Sequence, residues 1–141
     1  MNAVTVSQPY ASLIADGTRW IENRTWYTGH RGLLAIRAGK GTQYVTAAQL
    51  TKFPNGCIVA VARLVACVNL AQLNAGAVNH DLERSGITRD QLLAHQHTQG
   101  PWCWVLKDIR KLPVPHRCNG SQGLWDTPPW FTVPLINNQE F

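Results

Sequence analysis

At 141 residues, 45% of them hydrophobic, the chain is the size of one domain and has enough apolar material to fold without a disulfide or metal. Thirteen Lys and Arg against eight Asp and Glu give a net charge of +5, a balance that favours polyanionic partners such as RNA or DNA. No apolar run nears the ~18 residues that span a bilayer, and the N-terminus lacks a basic stretch ahead of an apolar signal core, so no membrane is expected and the reading is soluble and cytoplasmic.

Residues 4–6 read as a first strand. Ser7 or Gln8 then caps a two-turn helix with Pro9 in its first turn, and Tyr10, Leu13 and Ile14 form its apolar stripe. Gly17 is the expected stop. Residues 19–26 alternate as a strand that places Trp20, Glu22, Arg24 and Trp26 on one face and Ile21 on the other. After the turn at 29–32 comes a strand at 33–37, then a helix capped by Thr42 and running to about Leu50. Residues 58–70, rich in Val, Ile and Ala, suit a central strand. From 70 to 96 the pattern turns helical and polar, with a capping box at Thr88–Gln91 (T-R-D-Q). Residues 101–109 alternate as another strand, Pro113 and Pro115 flank a short extended piece, and 120–141 is expected to wrap the body with little regular structure. One domain, 1–141, of the α+β class is the reading, with short helices around a small barrel.

The four cysteines form no C-x-x-C pair, and Cys57, Cys67 and Cys103 lie in apolar runs, where reduced buried thiols are expected. His95 and His97 make an H-x-H pair with no Cys, Asp or Glu spaced to complete a metal shell. Neither a metal nor a cofactor is therefore expected.

S-Q-P-Y-A-S-L-I-A-D-G-T-R-W-I-E-N-R-T-W at 7–26, continuing as H-R-G-L-L-A-I-R-A-G-K at 30–40, combines Q-P-[WY], a short helix, G-x-[KR]-x-x-E-x-R, and an R-G strand ending in a basic residue. This resembles the opening of the ASCH domain family of the PUA-like group. G-P-W-C-W-V-L-K-D-I-R-K-L-P-V-P at 100–115, with G-S-Q-G-L-W at 120–125, resembles the closing half. The resemblance implies a PUA-like β-pseudobarrel with a cleft lined by the opening signature, and hence by Gln8 and Tyr10 at its start. It also implies an association with RNA or coactivator-linked nucleic-acid functions. Some members are similar to hydrolases of acylated cytidine and others to ribonucleases, so the resemblance fixes fold more closely than function.

Glu22 and Arg24, two apart on a strand, share a face and can pair, either to present a carboxylate to a base or as a structural clamp. Arg19 stands where many relatives carry lysine; always protonated, it suits phosphate better than general-base work. Arg37 and Lys40 lead into A-G-K-G-T, a turn whose exposed N–H groups suit an anion. Trp26 is the aromatic best placed to stack a base, whereas Trp102, Trp104, Trp125 and Trp130 read as structural. The binding reading thus names Gln8, Tyr10, Arg19, Glu22, Arg24, Trp26, Arg37 and Lys40 as a site for RNA, single-stranded nucleic acid or a nucleoside-like molecule. The alternative is a hydrolase of N4-acetylcytidine-like nucleosides, or a ribonuclease, using Glu22, Lys40 and Glu83. Arg19 and Glu22 stand where the hydrolase-like members carry lysine and threonine, which removes the obvious base and nucleophile. A third reading makes W-D-T-P-P-W a docking segment for a protein partner.

Overall fold

A computed structural model describes residues 1–131. In chain order its elements are β1 (Asn2–Val6), α1 (Tyr10–Ala15), β2 (Ile21–Arg24), β3 (Gly32–Ala38), α2 (Ala47–Leu50), β4 (Cys57–Asn69), α3 (Leu70–Asn74), α4 (His80–Ser85), α5 (Arg89–Ala94), β5 (Trp102–Arg117) and β6 (Trp125–Asp126). The strands hydrogen-bond as one mixed sheet in the order β2-β5-β4-β3-β1-β6. This is the α+β, PUA-like architecture expected, with one correction: among the described residues the sheet does not close into a barrel. No helix among them is long and apolar enough to cross a membrane.

The chain forms two compact units. Among the described residues the first comprises 1–19, 33–62 and 108–131; the second comprises 20–32 and 63–107.

In the first unit β1 runs parallel to β3, with Thr5 opposite Arg37, and antiparallel to β6, with Ala3 opposite Trp125. The core gathers Ala3, Ala35, Ile58, Val61, Leu112 and Phe131. Three local expectations shift here. Pro9, rather than Ser7 or Gln8, holds the N-cap position of α1. Gln8 is instead fully buried: its Nε2 donates to Ser12 Oγ and the Pro54 carbonyl, and its Oε1 accepts from Ser12 N–H. The next helix is capped by Thr46, not Thr42, because T-A-A-Q closes a full capping box with Gln49. The closing segment is not wholly irregular, since Trp125 and Asp126 add a strand to β1 and the Met1 ammonium donates to Thr127 Oγ1 at 3.0 Å. The expectation for 132–141 lies outside the described residues.

In the second unit Ile21, Glu22, Asn23 and Arg24 of β2 face Val105, Trp104, Cys103 and Trp102 of β5. β2 is shorter than the alternation at 19–26 suggested. The core comprises Ile21, Ala66, Val68, Leu73, Leu82, Leu92, Cys103 and Val105. Asn69, Asn79 and Thr88 each cap a helix by accepting an N–H, and Thr88 makes the expected reciprocal box with Gln91. β5 is longer than expected. Beyond Val105 it loses β2 as a partner, so Pro113 and Pro115, which lack an N–H, are tolerated within it. It passes from one unit's residues to the other's at Asp108, whose φ of 52° is left-handed, a conformation a short polar side chain accepts.

Cys57, Cys67 and Cys103 are free and buried, as expected, and burial pushes all three thiols up.

Candidate functional site

The first unit places its candidates in different surroundings. Arg19, only 6% exposed, lays its guanidinium 4.3 Å from the Tyr10 ring centroid, a cation–π contact. Tyr10 in turn meets the edge of Tyr44 at 5.0 Å. Arg37, 9% exposed, donates from Nε to the Cys118 carbonyl at 2.9 Å. A Cβ on Gly120 would come within 2.7 Å of Arg37 Nη1 and Thr5 Oγ1, so the chain is pressed against this arginine. Arg37 therefore straps the segment after β5 onto β3. The Gln8 amide is spent inside the unit.

Lys40 has a different fate. It lines a cavity of about 780 Å³ together with Arg117, Asp126, Trp125, Trp130 and Ser121. Both cations are exposed, and neither makes an ion pair or hydrogen bond among the described residues. Trp130 is 56% exposed, and one side of its ring rests on His116 with centroids 4.4 Å apart. The Trp125 indole N–H is buried with no acceptor among the described residues, a donor that costs ~1–3 kcal/mol when left unsatisfied. A ligand with anionic oxygens and a flat ring matches this lining, and the Asp126 carboxylate can accept from an exocyclic amine.

Gly56 is what lets Lys40 lie there. Its φ of +65° is left-handed, its N–H donates to the Ala38 carbonyl at 2.8 Å, and its carbonyl accepts from Cys118 N–H at 3.3 Å. A Cβ at this point would overlap Lys40 Cε. Gly56→Ala is expected to lower stability by about 1–2 kcal/mol, the cost of a left-handed L-residue, measured as a lower denaturant midpoint.

The second unit holds the rest of the signature. Glu22, opposite Trp104, is 7% exposed and pairs with Arg24 Nη2 at 3.0 Å, so the two share a face as their spacing implied. The Arg24 guanidinium stands 5.9 Å from the Trp104 ring, and Trp26 meets that ring edge-on at 4.9 Å. Glu83 is exposed on α4 and lines a small cavity that also includes Arg89 and Leu73.

Sequence reasoning missed Arg117, Trp125, Asp126 and Trp130 as cavity residues. The signal for Arg117 was present: a cation at a strand end ahead of N-G-S-Q-G is the same cue that marked Lys40 ahead of G-T.

Elsewhere, within the second unit, Asp81 takes a hydrogen bond from Arg31 Nε at 2.9 Å and another from Arg84. These partners, Arg31 foremost, hold its carboxyl below the ordinary 3.8. A carboxylate depressed in the folded state stabilises above its unfolded value and ceases to do so as pH falls through its lower folded value. Asp81→Asn should therefore cost ~1 kcal/mol or less near neutrality, and the difference from wild type should vanish well below pH ~3.8. Urea midpoints across that range check the sign; a difference that grows in acid would contradict it.

A model of the ASCH domain matches residues 4–115. Activating signal cointegrator 1 of Homo sapiens is 25% identical over 138 residues, covering 86% of this chain and 21% of that protein. Its Mus musculus counterpart is 34% identical over 85 residues, covering 49% of this chain and 15% of that protein. The chain thus spans only a minor part of these relatives. Among solved structures, the Zymomonas mobilis ASCH protein superposes with a TM-score of 0.51 at 14% identity, covering 91% of this chain and 87% of that one. A mutant of the same protein gives 0.52 at 13%, covering 91% and 90%. At such identity the likeness carries fold alone.

Proposed function

Because the chain belongs to the ASCH domain family, we propose that it binds single-stranded nucleic acid, RNA above all, through the basic and aromatic cavity of its first unit. The observation that carries this reading is the lining of Lys40 and Arg117 beside the exposed Trp130. Lys40 and Arg117 hold backbone phosphates, Trp130 stacks a base, and Asp126 accepts from a base amino group. Unstacked bases reach such a cavity, whereas bases inside a duplex do not. RNA is favoured over DNA because PUA-like domains resemble RNA readers. The net charge of +5 adds long-range attraction.

Binding of short labelled RNA strands, followed by fluorescence anisotropy, tests the proposal. Two phosphate contacts give a slope of log affinity on log salt of about −1.4. Single strands should bind more tightly than the matching duplex. An affinity indifferent to salt, or a preference for duplex, overturns it.

A further inference from the structure

The second unit carries a separate concentration of charge. A cavity of about 270 Å³ is lined by Arg31, Arg63, Arg84, Asp81, Gly32 and Ser85, among others. Its arginines come from three places: the H-R-G segment before β3, the middle of β4, and α4. Asp81 receives Arg31 on one oxygen and Arg84 on the other. Arg31 is fixed further by its Nη1, which donates to the Thr28 and His30 carbonyls at 2.8 and 2.7 Å. One carboxylate therefore orients two guanidinium groups. Arg31 and Arg84 share the one Asp81 carboxylate, so this pair alone leaves a formal positive charge in excess. Lys107 Nζ donates to the carbonyl of Ser85, a residue of the lining.

A cluster built only for stability gains little from gathering like charges beyond those its carboxylate can neutralise. Guanidinium forks match tetrahedral oxyanions bidentately. The volume lies below the ~300–1,000 Å³ of pockets that enclose whole organic ligands, and so suits a single charged group. We infer that this cavity binds the phosphate group of a phosphate ester, at a site that does not depend on the nucleic-acid reading of the first unit. The group comes either from a free nucleotide or from the backbone of a strand.

The test is a titration of the full ¹⁵N-labelled chain with inorganic phosphate, followed by NMR against sodium chloride at equal ionic strength. The Gly32 and Ser85 amides and Arg31 Nε should shift saturably. Arg84 is 72% exposed in its side chain, so Arg84→Gln should fold normally and weaken binding about tenfold or more, the loss of one charge-assisted hydrogen bond. Neutralising Lys40 and Arg117 should leave these shifts unchanged, which separates this site's failure from that of the first. Adenosine monophosphate and an oligonucleotide without terminal phosphates then distinguish the source: shifts with the former alone identify a terminal phosphate, and shifts with the latter identify a backbone. No saturable shift with any of the three probes, or shifts undiminished in Arg84→Gln, overturns the inference.

Discussion

Replacing Lys40 and Arg117 together by glutamine is expected to weaken binding of short single-stranded RNA by roughly ten- to twentyfold at ~0.15 M salt and to remove about 1.4 from the slope of log affinity on log salt. Both side chains are exposed and make no ion pair among the described residues, so the melting temperature should stay near that of the wild type. The loss then reports lost contacts and not lost fold. Trp130→Ala provides the complementary reading. A stacked base is worth ~1–3 kcal/mol and carries no counterions, so affinity should fall while the salt slope holds. A double glutamine variant with unaltered slope would show that these cations meet no phosphate.

Trp104→Ala should have the largest effect on stability. Trp104 is fully buried on β5, opposite Glu22, with the edge contact from Trp26 on its ring and the Arg24 guanidinium nearby. Truncating a buried aromatic costs ~3–5 kcal/mol, partly through the cavity left behind. Against a total of ~5–15 kcal/mol this is a large share. The thermal midpoint should drop by about 10–20 °C, followed by circular dichroism or calorimetry. Trp104→Phe keeps a ring against Trp26 and should lose much less. A Trp104→Ala midpoint within a few degrees of wild type would mean that the two indoles contribute little to the second unit.

The features legible along the chain rest on local physics. The Thr88–Gln91 box needs only side chains and N–H groups three residues apart, and it forms as read. The buried cysteines follow from the apolar runs that contain them. The Glu22–Arg24 pair follows from the two-residue period of a strand. The opening signature sufficed for the family, because its residues are contiguous.

Which cation does what depends on long-range packing. Arg37 and Lys40 are three residues apart and carried the same cue, yet one is buried against the Cys118 carbonyl while the other lines a cavity with Arg117. That difference depends on where the segment after β5 returns to β3, a contact between distant parts of the chain that no local period encodes. The same holds for Trp125 and Trp130. Their apolar, proline-bounded surroundings read as wrapping, but the pairing of β6 with β1 fixes Trp125 in the cavity wall, and Trp130 is left 56% exposed beside it. Arg31 and Asp81 likewise meet across fifty residues of sequence. Charge pairing at that range is set by how the strands and helices pack, and composition records only that the charges exist.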